Sequence, residues 1–424
     1  MMKDYILKGN ICYSQNLQTI RCVENGYVVC LNGKSAGVFD EIPEKYKNLA
    51  VKDFGDKLII PGLVDMHVHA PQYSFRSIGM DMELLDWLEA RAFPEEGKFS
   101  DVEYAKKAYG IFVDDLLKSA TTRACIFASR HVEGTWVLMD LLEKSGLVSY
   151  VGKVNMDRNA PDYLKEENAE KSAEDTIRWI EGTAKHFQNT KPIITPRFIP
   201  SCTDPLMERL GEIQKEYNLP VQSHLSENLS EIELVKELCP TSKFYGDAYH
   251  QFGLFGGDVP TIMAHCVHPP KEEMEMMKEQ GIFVAHCPQS NINVLSGIPP
   301  IRDFLDEGIR VGLGCDIAGG TVLSIFRAMI EAIQLSKLRW RLVDQSKRPL
   351  TVEEAFYLGT IGGGSFFGKV GSFEEGYELD AVVLDDTTLP YPQELTVAER
   401  LERMIYLSDE RHVVGKFVRG KHLF

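Results

Sequence analysis

The stretch Pro61-Gly-Leu-Val-Asp-Met-His-Val-His69 reads as a short apolar strand, Gly62 to His67, that ends in two imidazoles two residues apart. From one strand end both rings can face a single ion. Alone, the His-x-His pair is a weak signal in a chain with 11 histidines. Its weight comes from the rest of the chain. Short apolar runs of the same kind recur at Thr122 to Ser129, Tyr150 to Met156, Ile193 to Ile199, Val221 to Leu225, Thr261 to Cys266, Phe283 to Cys287 and Val311 to Cys315. Between them lie stretches with helical periodicity, among them Asp101 to Ser119, Ala173 to His186, Pro205 to Tyr217, Lys271 to Gln280 and Val322 to Leu338. Short strands alternating with longer helices predict βα units and a parallel sheet. Eight such units between Pro61 and Gly371 predict a (β/α)8 barrel.

Outside that region the texture changes. The first sixty residues carry Tyr5 to Leu7, Gly26 to Leu31 and Lys57 to Ile60, broken by Gly and Asn. The C-terminal end repeats this in Leu379 to Asp385 and His412 to Val418, around a charged helical stretch from Ala398 to Tyr406. These runs predict strands joined by turns, and together one small β-domain made of residues 1–61 and 372–424, with the barrel spanning 62–371. Pro71 to Phe99, rich in aromatics and Met, is expected to cover the barrel mouth.

Composition narrows the function classes. Hydrophobic residues at 44% and charged residues at 25% match a soluble globular chain rather than a disordered or fibrous one. No run approaches the roughly 18 apolar residues of a membrane span, and Lys3, Asp4 and Lys8 interrupt the stretch Met1 to Tyr13 that a secretory signal would need apolar. A cytoplasmic protein is expected. A net charge of −16 argues against a sequence-independent grip on nucleic acid. The nine cysteines are odd in number and form no Cys-x-x-Cys pair, which argues against a disulfide framework or a thiolate metal site.

Polar residues of the central region concentrate at the C-terminal ends of the expected strands, where (β/α)8 enzymes carry their chemistry. His67 and His69 stand at the first strand end, His224 at the fifth, His265 at the sixth, and Asp316 just after the eighth. Four imidazoles and a carboxylate suit zinc or Fe2+, with zinc the expectation. His268 and His286 also stand at strand ends and are expected outside the metal shell, orienting a ligand or simply hydrogen-bonded.

Pro61 to His69 resembles the opening metal motif of the amidohydrolase superfamily, and Tyr377-Glu-Leu-Asp-Ala-Val-Val-Leu-Asp385 resembles its returning sandwich strand. The resemblance covers nearly the whole chain and implies a distorted (β/α)8 barrel with a small β-sandwich built from both termini. Two-metal members carry a carboxylated lysine at the end of strand four. Here that strand ends Thr195-Pro-Arg-Phe198, which implies one metal per chain. Within the superfamily, His69-Ala-Pro-Gln-Tyr73, Pro196-Arg-Phe198, Ser201-Cys202, Gln222-Ser-His-Leu-Ser-Glu-Asn228, Ala264-His-Cys-Val-His268 and Gly312-Leu-Gly-Cys-Asp-Ile-Ala-Gly-Gly320 resemble the guanine deaminase family. That likeness implies His67, His69, His224, His265 and Asp316 around the metal, and Gln72, Arg197, Phe198 and Glu227 lining a purine site. It also implies a homodimer acting on a small-molecule purine. Met66 and Cys315 depart from the Thr or Ala and the Thr or Ser common at these places in related enzymes.

The implied reaction is hydrolysis of guanine to xanthine and ammonia. Water must become nucleophilic near neutral pH, which bound zinc achieves by lowering its pKa to about 7. Asp316 would take the water's proton, and Glu227 would protonate the ring nitrogen beside the attacked carbon and help the amine leave. Arg197 and Gln72 have donors and acceptors for a carbonyl and an amide edge, and Phe198 offers a flat ring. A carbonyl-reading arginine favours guanine over adenine. The competing readings are an amidohydrolase acting on 8-oxoguanine, cytosine or a triazine, and a non-catalytic scaffold. Retention of every metal ligand weighs against the scaffold.

Overall fold

The computed structural model describes residues 4–183 and 186–424. Residues 184–185 of the expected helix Ala173 to His186, and residues 1–3 of the N-terminal stretch, lie outside the described residues. The chain opens with strands β1 (Tyr5–Asn16), β2 (Thr19–Leu31), β3 (Lys34–Phe39) and β4 (Ala50–Pro61). β1 is longer than its apolar start suggests because Gly9-Asn10 does not end it. The register against β2 shifts between Gly9 and Ile11, so the pair marks a bulge. Glycine is needed there, since a Cβ on Gly9 would lie 2.9 Å from Ile59 Cδ1.

The parallel strands follow as β5 (Leu63–His69), β6 (Thr121–Phe127), β7 (Val148–Gly152), β8 (Val154–Asn155), β9 (Thr190–Pro192), β10 (Thr195–Pro196), β11 (Val221–Leu225), β12 (Thr261–His265), β13 (Phe283–His286) and β14 (Arg310–Leu313). They pair in the orders β5-β6-β7-β9, β10-β8 and β11-β12-β13-β14, all in parallel. The expected third and fourth strands are thus each split in two. Lys153, between β7 and β8, is wholly buried and bonds Glu166 Oε1 at 2.5 Å. A bridge between Ile194 and Val221 links the two four-stranded groups. At the other edge, Asp316 N–H donates to His67 O at 2.9 Å and His69 N–H to Ile317 O at 3.1 Å. Hydrogen bonding therefore returns from the residues after β14 to β5. Val64, Met66, Cys125, Ile193, Ile262, Ala264, Phe283 and Ala285 form one inner cluster, although they come from strands that are not all neighbours. Gly312 allows this closure, because a Cβ there would run into Met66 Sδ.

The last strands, β15 (Ala381–Leu384), β16 (Val413–Val418) and β17 (Lys421–His422), rejoin the first four. The resulting seven-stranded sheet has the order β17-β16-β15-β4-β1-β2-β3. Period-two alternation divides its side chains. Tyr5, Leu7, Ile11, Val28, Val38, Val383 and Phe417 build a core of their own, while Cys12, Leu58, Ile60, Val382 and Leu384 join the main core. Arg123 of β6 ties the sheet to the parallel strands, bonding Asp380 Oδ2 at 2.6 Å and Glu378 Oε2 at 2.7 Å.

Helices stand near their expected places, including Val102–Lys118, Asp204–Tyr217, Lys271–Glu279 and Ile325–Leu342. The cover segment is not an open loop. It forms the short turns Ala70–Phe75, Leu84–Trp87 and Phe93–Gly97, with Trp87, Leu88 and Phe93 buried. Tyr73 Oη anchors it by donating to Asp115 Oδ2 at 2.6 Å. Among the described residues no helix is long and apolar enough to cross a membrane.

Candidate active site

The first two imidazoles owe their direction to a bulge. Asp65 pairs with Ala124 and Val68 with Ile126, so β5 carries one extra residue between those pairs. In a regular strand Met66 and His67 would face opposite ways. With the extra residue, Met66 stays in the inner cluster while His67 and His69 turn into the site. Gly314 makes room, since a Cβ there would sit 2.9 Å from His67 Cβ. Asp65 locks this end of β5 to the turn carrying Asp316. It accepts the N–H groups of His67 and Cys315 at 3.2 and 3.1 Å, and the Cys315 thiol at 2.6 Å. Burial raises its carboxyl to about 6.

The structure brings His67, His69, His224, His265 and Asp316 together, all buried. The ligand atoms of His67, His69 and His224 lie within 4.8 Å of one another, and so do those of His67, His265, Cys287 and Asp316. His69 Nε2 and His224 Nε2 are 3.1 Å apart, and Asp316 Oδ1 lies 3.2 Å from His67 Nε2 and 3.6 Å from His69 Nε2. His224 Nδ1 meets the Arg197 carbonyl at 2.6 Å, an acceptor only, so that nitrogen carries the proton and Nε2 turns a lone pair inward. His265 is held likewise, Nδ1 to Asn291 Oδ1 at 2.9 Å. Burial, followed by the neighbouring imidazoles, keeps His69 and His224 well below the usual histidine range and therefore neutral.

With Nδ1 engaged, His224 and His265 both turn Nε2 lone pairs into the cluster, which suits a cation among the rings. Both ring nitrogens of His67 are buried and have no hydrogen-bond partner among the described residues. This donor set fits a divalent ion with nitrogen bonds of about 2.0–2.1 Å. Cys287 is the one member of the cluster that the sequence did not single out. Its thiol contacts Ala285 O at 3.5 Å, and burial, then nearby carboxylates, push its pKa up.

Backbone strain collects here. Ser226, His265, Cys266 and Asp316 all have left-handed φ, at 47°, 72°, 48° and 45°. Such conformations cost on the order of 1–3 kcal/mol each and persist where the surroundings fix them. The Cys266 N–H is fixed by Leu225 O at 2.9 Å and Asp316 by its N–H bond to His67 O on β5.

Glu227 enters from the loop after β11. Its Oε1 accepts from Ser296 Oγ at 3.2 Å, and its Oε2 lies 3.5 Å from His265 Nε2. Burial, and secondarily Asp316, raise its carboxyl well above the usual range. Burial also pushes the Asp316 carboxyl up, but its interactions with His67, His265 and His69 outweigh that and hold it well below. One site thus holds an acid form beside a base form. Glu231, the N3 residue of a capping box on Asn228 that the sequence reading did not single out, accepts the N–H groups of Glu227 and Asn228 at 3.0 and 3.2 Å.

Next to the imidazoles is a pocket lined by His69, Gln72, Arg197, Phe198, Glu227 and Asp316, with Leu84, Trp87 and Leu88 from the cover segment. Arg197 and Gln72 converge on Glu96, another residue outside every motif: Arg197 Nη1 is 2.5 Å from Oε2 and Gln72 Nε2 is 2.8 Å from Oε1. The Phe198 ring lies 6.4 Å from the His224 ring at 71°. Two acids in the otherwise apolar Phe93-Pro-Glu-Glu96 were the available signal, but acids in a cover segment ordinarily face solvent. His268 stands outside the cluster, meeting Ser296 O at 2.6 Å. His286 is buried, which lowers it to about 3, and belongs to neither group.

Parallel strands whose C-terminal ends converge four imidazoles and a carboxylate on one cavity define a hydrolase of the metal-assisted type. Comparison with known proteins agrees. The chain belongs to the amidohydrolase family, whose sequence model matches residues 58–423. Guanine deaminase of Dictyostelium discoideum is 39% identical over 382 residues, covering 88% of this chain and 84% of that protein. The crystal structure of guanine deaminase from C. acetobutylicum, with guanine bound in its active site, is 48% identical with a TM-score of 0.97 and full coverage of both chains. E. coli guanine deaminase superposes with a TM-score of 0.89 at 31% identity, covering 99% of each chain.

Proposed function

We propose that the chain hydrolyses guanine to xanthine and ammonia, using one zinc ion held by His67, His69, His224, His265 and Asp316. The observation that carries this reading is the sharing of one pocket by the His69, His224 and His265 imidazoles and the Arg197 and Gln72 side chains. The solved relative with guanine in its active site supports the choice of purine. Imidazole and carboxylate donors suit zinc or Fe2+, and zinc is the metal proposed.

Bound there, zinc makes water acidic near neutral pH. Asp316, ionised, receives the proton of the attacking water. Glu227, protonated, gives its proton to the ring nitrogen next to the carbon under attack. The proton on Asp316 passes to the departing amine, completing ammonia. Loss of a proton from the new hydroxyl leaves the carbonyl of xanthine and returns Glu227 to its acid form. Arg197 donates to the purine's existing carbonyl, Gln72 reads its amide edge, and Phe198 borders the ring plane. Adenine, with an amine in place of that carbonyl, leaves the buried arginine unmatched.

We infer further that the parallel strands form a distorted (β/α)8 barrel over residues 62–371, and that residues 1–61 and 372–424 form a small β-sandwich. The return of hydrogen bonding from Asp316 to β5 supports the barrel. The sheet's separate core, which includes Val38 of β3 and Phe417 of β16, supports a sheet folded over on itself. Nine free thiols suit a reducing cytoplasm. Leu229 and Val343, 63% and 61% exposed beside one apolar groove, suit the self-association of a homodimer.

The test is ammonia release from guanine by purified protein, followed with the loss of guanine absorbance. Turnover should vanish on chelation and return with zinc. Unchanged guanine with zinc confirmed bound would overturn the substrate assignment.

A further inference from the structure

Glu96 sits in the turn Phe93–Gly97 of the cover segment and is 1% exposed. A carboxylate this deep is costly unless each oxygen is met. Here one oxygen takes Arg197 and the other takes Gln72. The far end of the Gln72 amide is also held, Oε1 accepting the Ala318 N–H at 2.9 Å. An amide gripped at both ends has only one satisfactory orientation, because its oxygen cannot donate and its nitrogen cannot accept. Arg197 likewise has a fixed direction, with its guanidinium 5.2 Å from the Phe93 ring next to Glu96 and its remaining donors free for another acceptor.

We propose that Glu96 is the positioning residue that sets substrate specificity: it fixes Arg197 and Gln72 as one rigid unit against the purine's carbonyl and amide edge. The inference rests on the reading that those two side chains contact guanine. Glu96 belongs to the same segment that supplies Leu84, Trp87 and Leu88 to the cavity wall. Covering the substrate and reading it are therefore done by one piece of chain.

The experiment compares Glu96→Gln with the parent in steady-state turnover of guanine, inhibition by xanthine, and zinc content. Loss of a charge-assisted hydrogen-bond pair predicts a KM and a xanthine inhibition constant each raised about 30-fold, kcat within about threefold and zinc unchanged. In the double variant with Gln72→Ala, the combined fold-change should be smaller than the product of the two single fold-changes, as expected of parts of one unit. A merely structural role would lower kcat and zinc while leaving KM alone, and that result overturns the proposal. So do constants within about threefold of the parent. Should Glu96→Gln fail to fold, Glu96→Asp keeps the charge and withdraws it by one methylene. It should raise KM about fivefold, and parent-like constants refute the idea. A parent inactive on guanine overturns the reaction itself and this inference with it. An active parent with unchanged KM in the variants overturns this inference alone.

Discussion

Replacing Glu227 by glutamine removes one proton and almost nothing else. The amide oxygen can still accept from Ser296 Oγ, now 3.2 Å from Oε1, and the mutual contacts of His67, His69, His224 and Asp316 do not involve Glu227. Fold and metal content should hold. Turnover should not, because no other group lining the cavity replaces that acid: Asp316 is kept ionised, His69 and His224 are kept neutral, His265 is one of the proposed metal ligands, and a guanidinium gives up no proton near pH 7. General acid catalysis is worth about 10²–10⁴-fold, and without a substitute donor the upper half of that range applies. A loss of about 10³–10⁴ in kcat is expected, or about 4–5.5 kcal/mol of barrier at about 1.36 kcal/mol per tenfold. The pH profile gives a second reading. Glu227 is raised above its usual range, so its acid form persists as pH climbs past ordinary carboxylates and disappears only above its own pKa. The parent should lose kcat on that alkaline side, and the residual activity of Glu227→Gln should lack that limb. The assay is kcat against pH at saturating guanine, with zinc measured on the same samples. Activity within a few-fold of the parent, zinc retained, would refute the role given to Glu227.

Asn291→Ala should loosen metal without touching a ligand. It strips the acceptor from His265 Nδ1, freeing the ring to turn, and affinity measured by chelator competition should fall about 10–100-fold. Gly152→Ala should act on stability instead. Its Cβ would fall onto Thr195 Oγ1 and lie 2.8 Å from Gln222 Nε2, disturbing the bond by which Gln222 of β11 holds Thr195 at 3.0 Å. Denaturant unfolding should show a loss of about 1–3 kcal/mol.

The strands were legible because buried parallel strands leave near-continuous apolar runs. β11 has the ends expected of it, and β12 and β13 differ by one residue. The imidazoles were legible because they stand where those runs stop. Interruptions within a strand were harder to read. Gly9-Asn10 has the composition of a turn and became a bulge only because Ile59 packs against it, and Lys153 reads as a surface residue until Glu166 closes on it. The cover segment lacks clear periodicity, so its short turns had no local signature, and the acids of Phe93-Pro-Glu-Glu96 read as solvent-facing until Arg197 and Gln72 close on Glu96. Partners such as Asn291 and Ser296 are recognisable only from the side chain each one holds, which sequence order does not supply.

The clasp of Asp65 on Cys315 joins residues 250 positions apart. At translation rates of about 5–20 residues per second, the strand bearing His67 and His69 leaves the ribosome roughly 12–50 s before the turn bearing Asp316. His224 and His265 follow within that interval, so the five side chains can share one geometry only after the whole stretch has emerged.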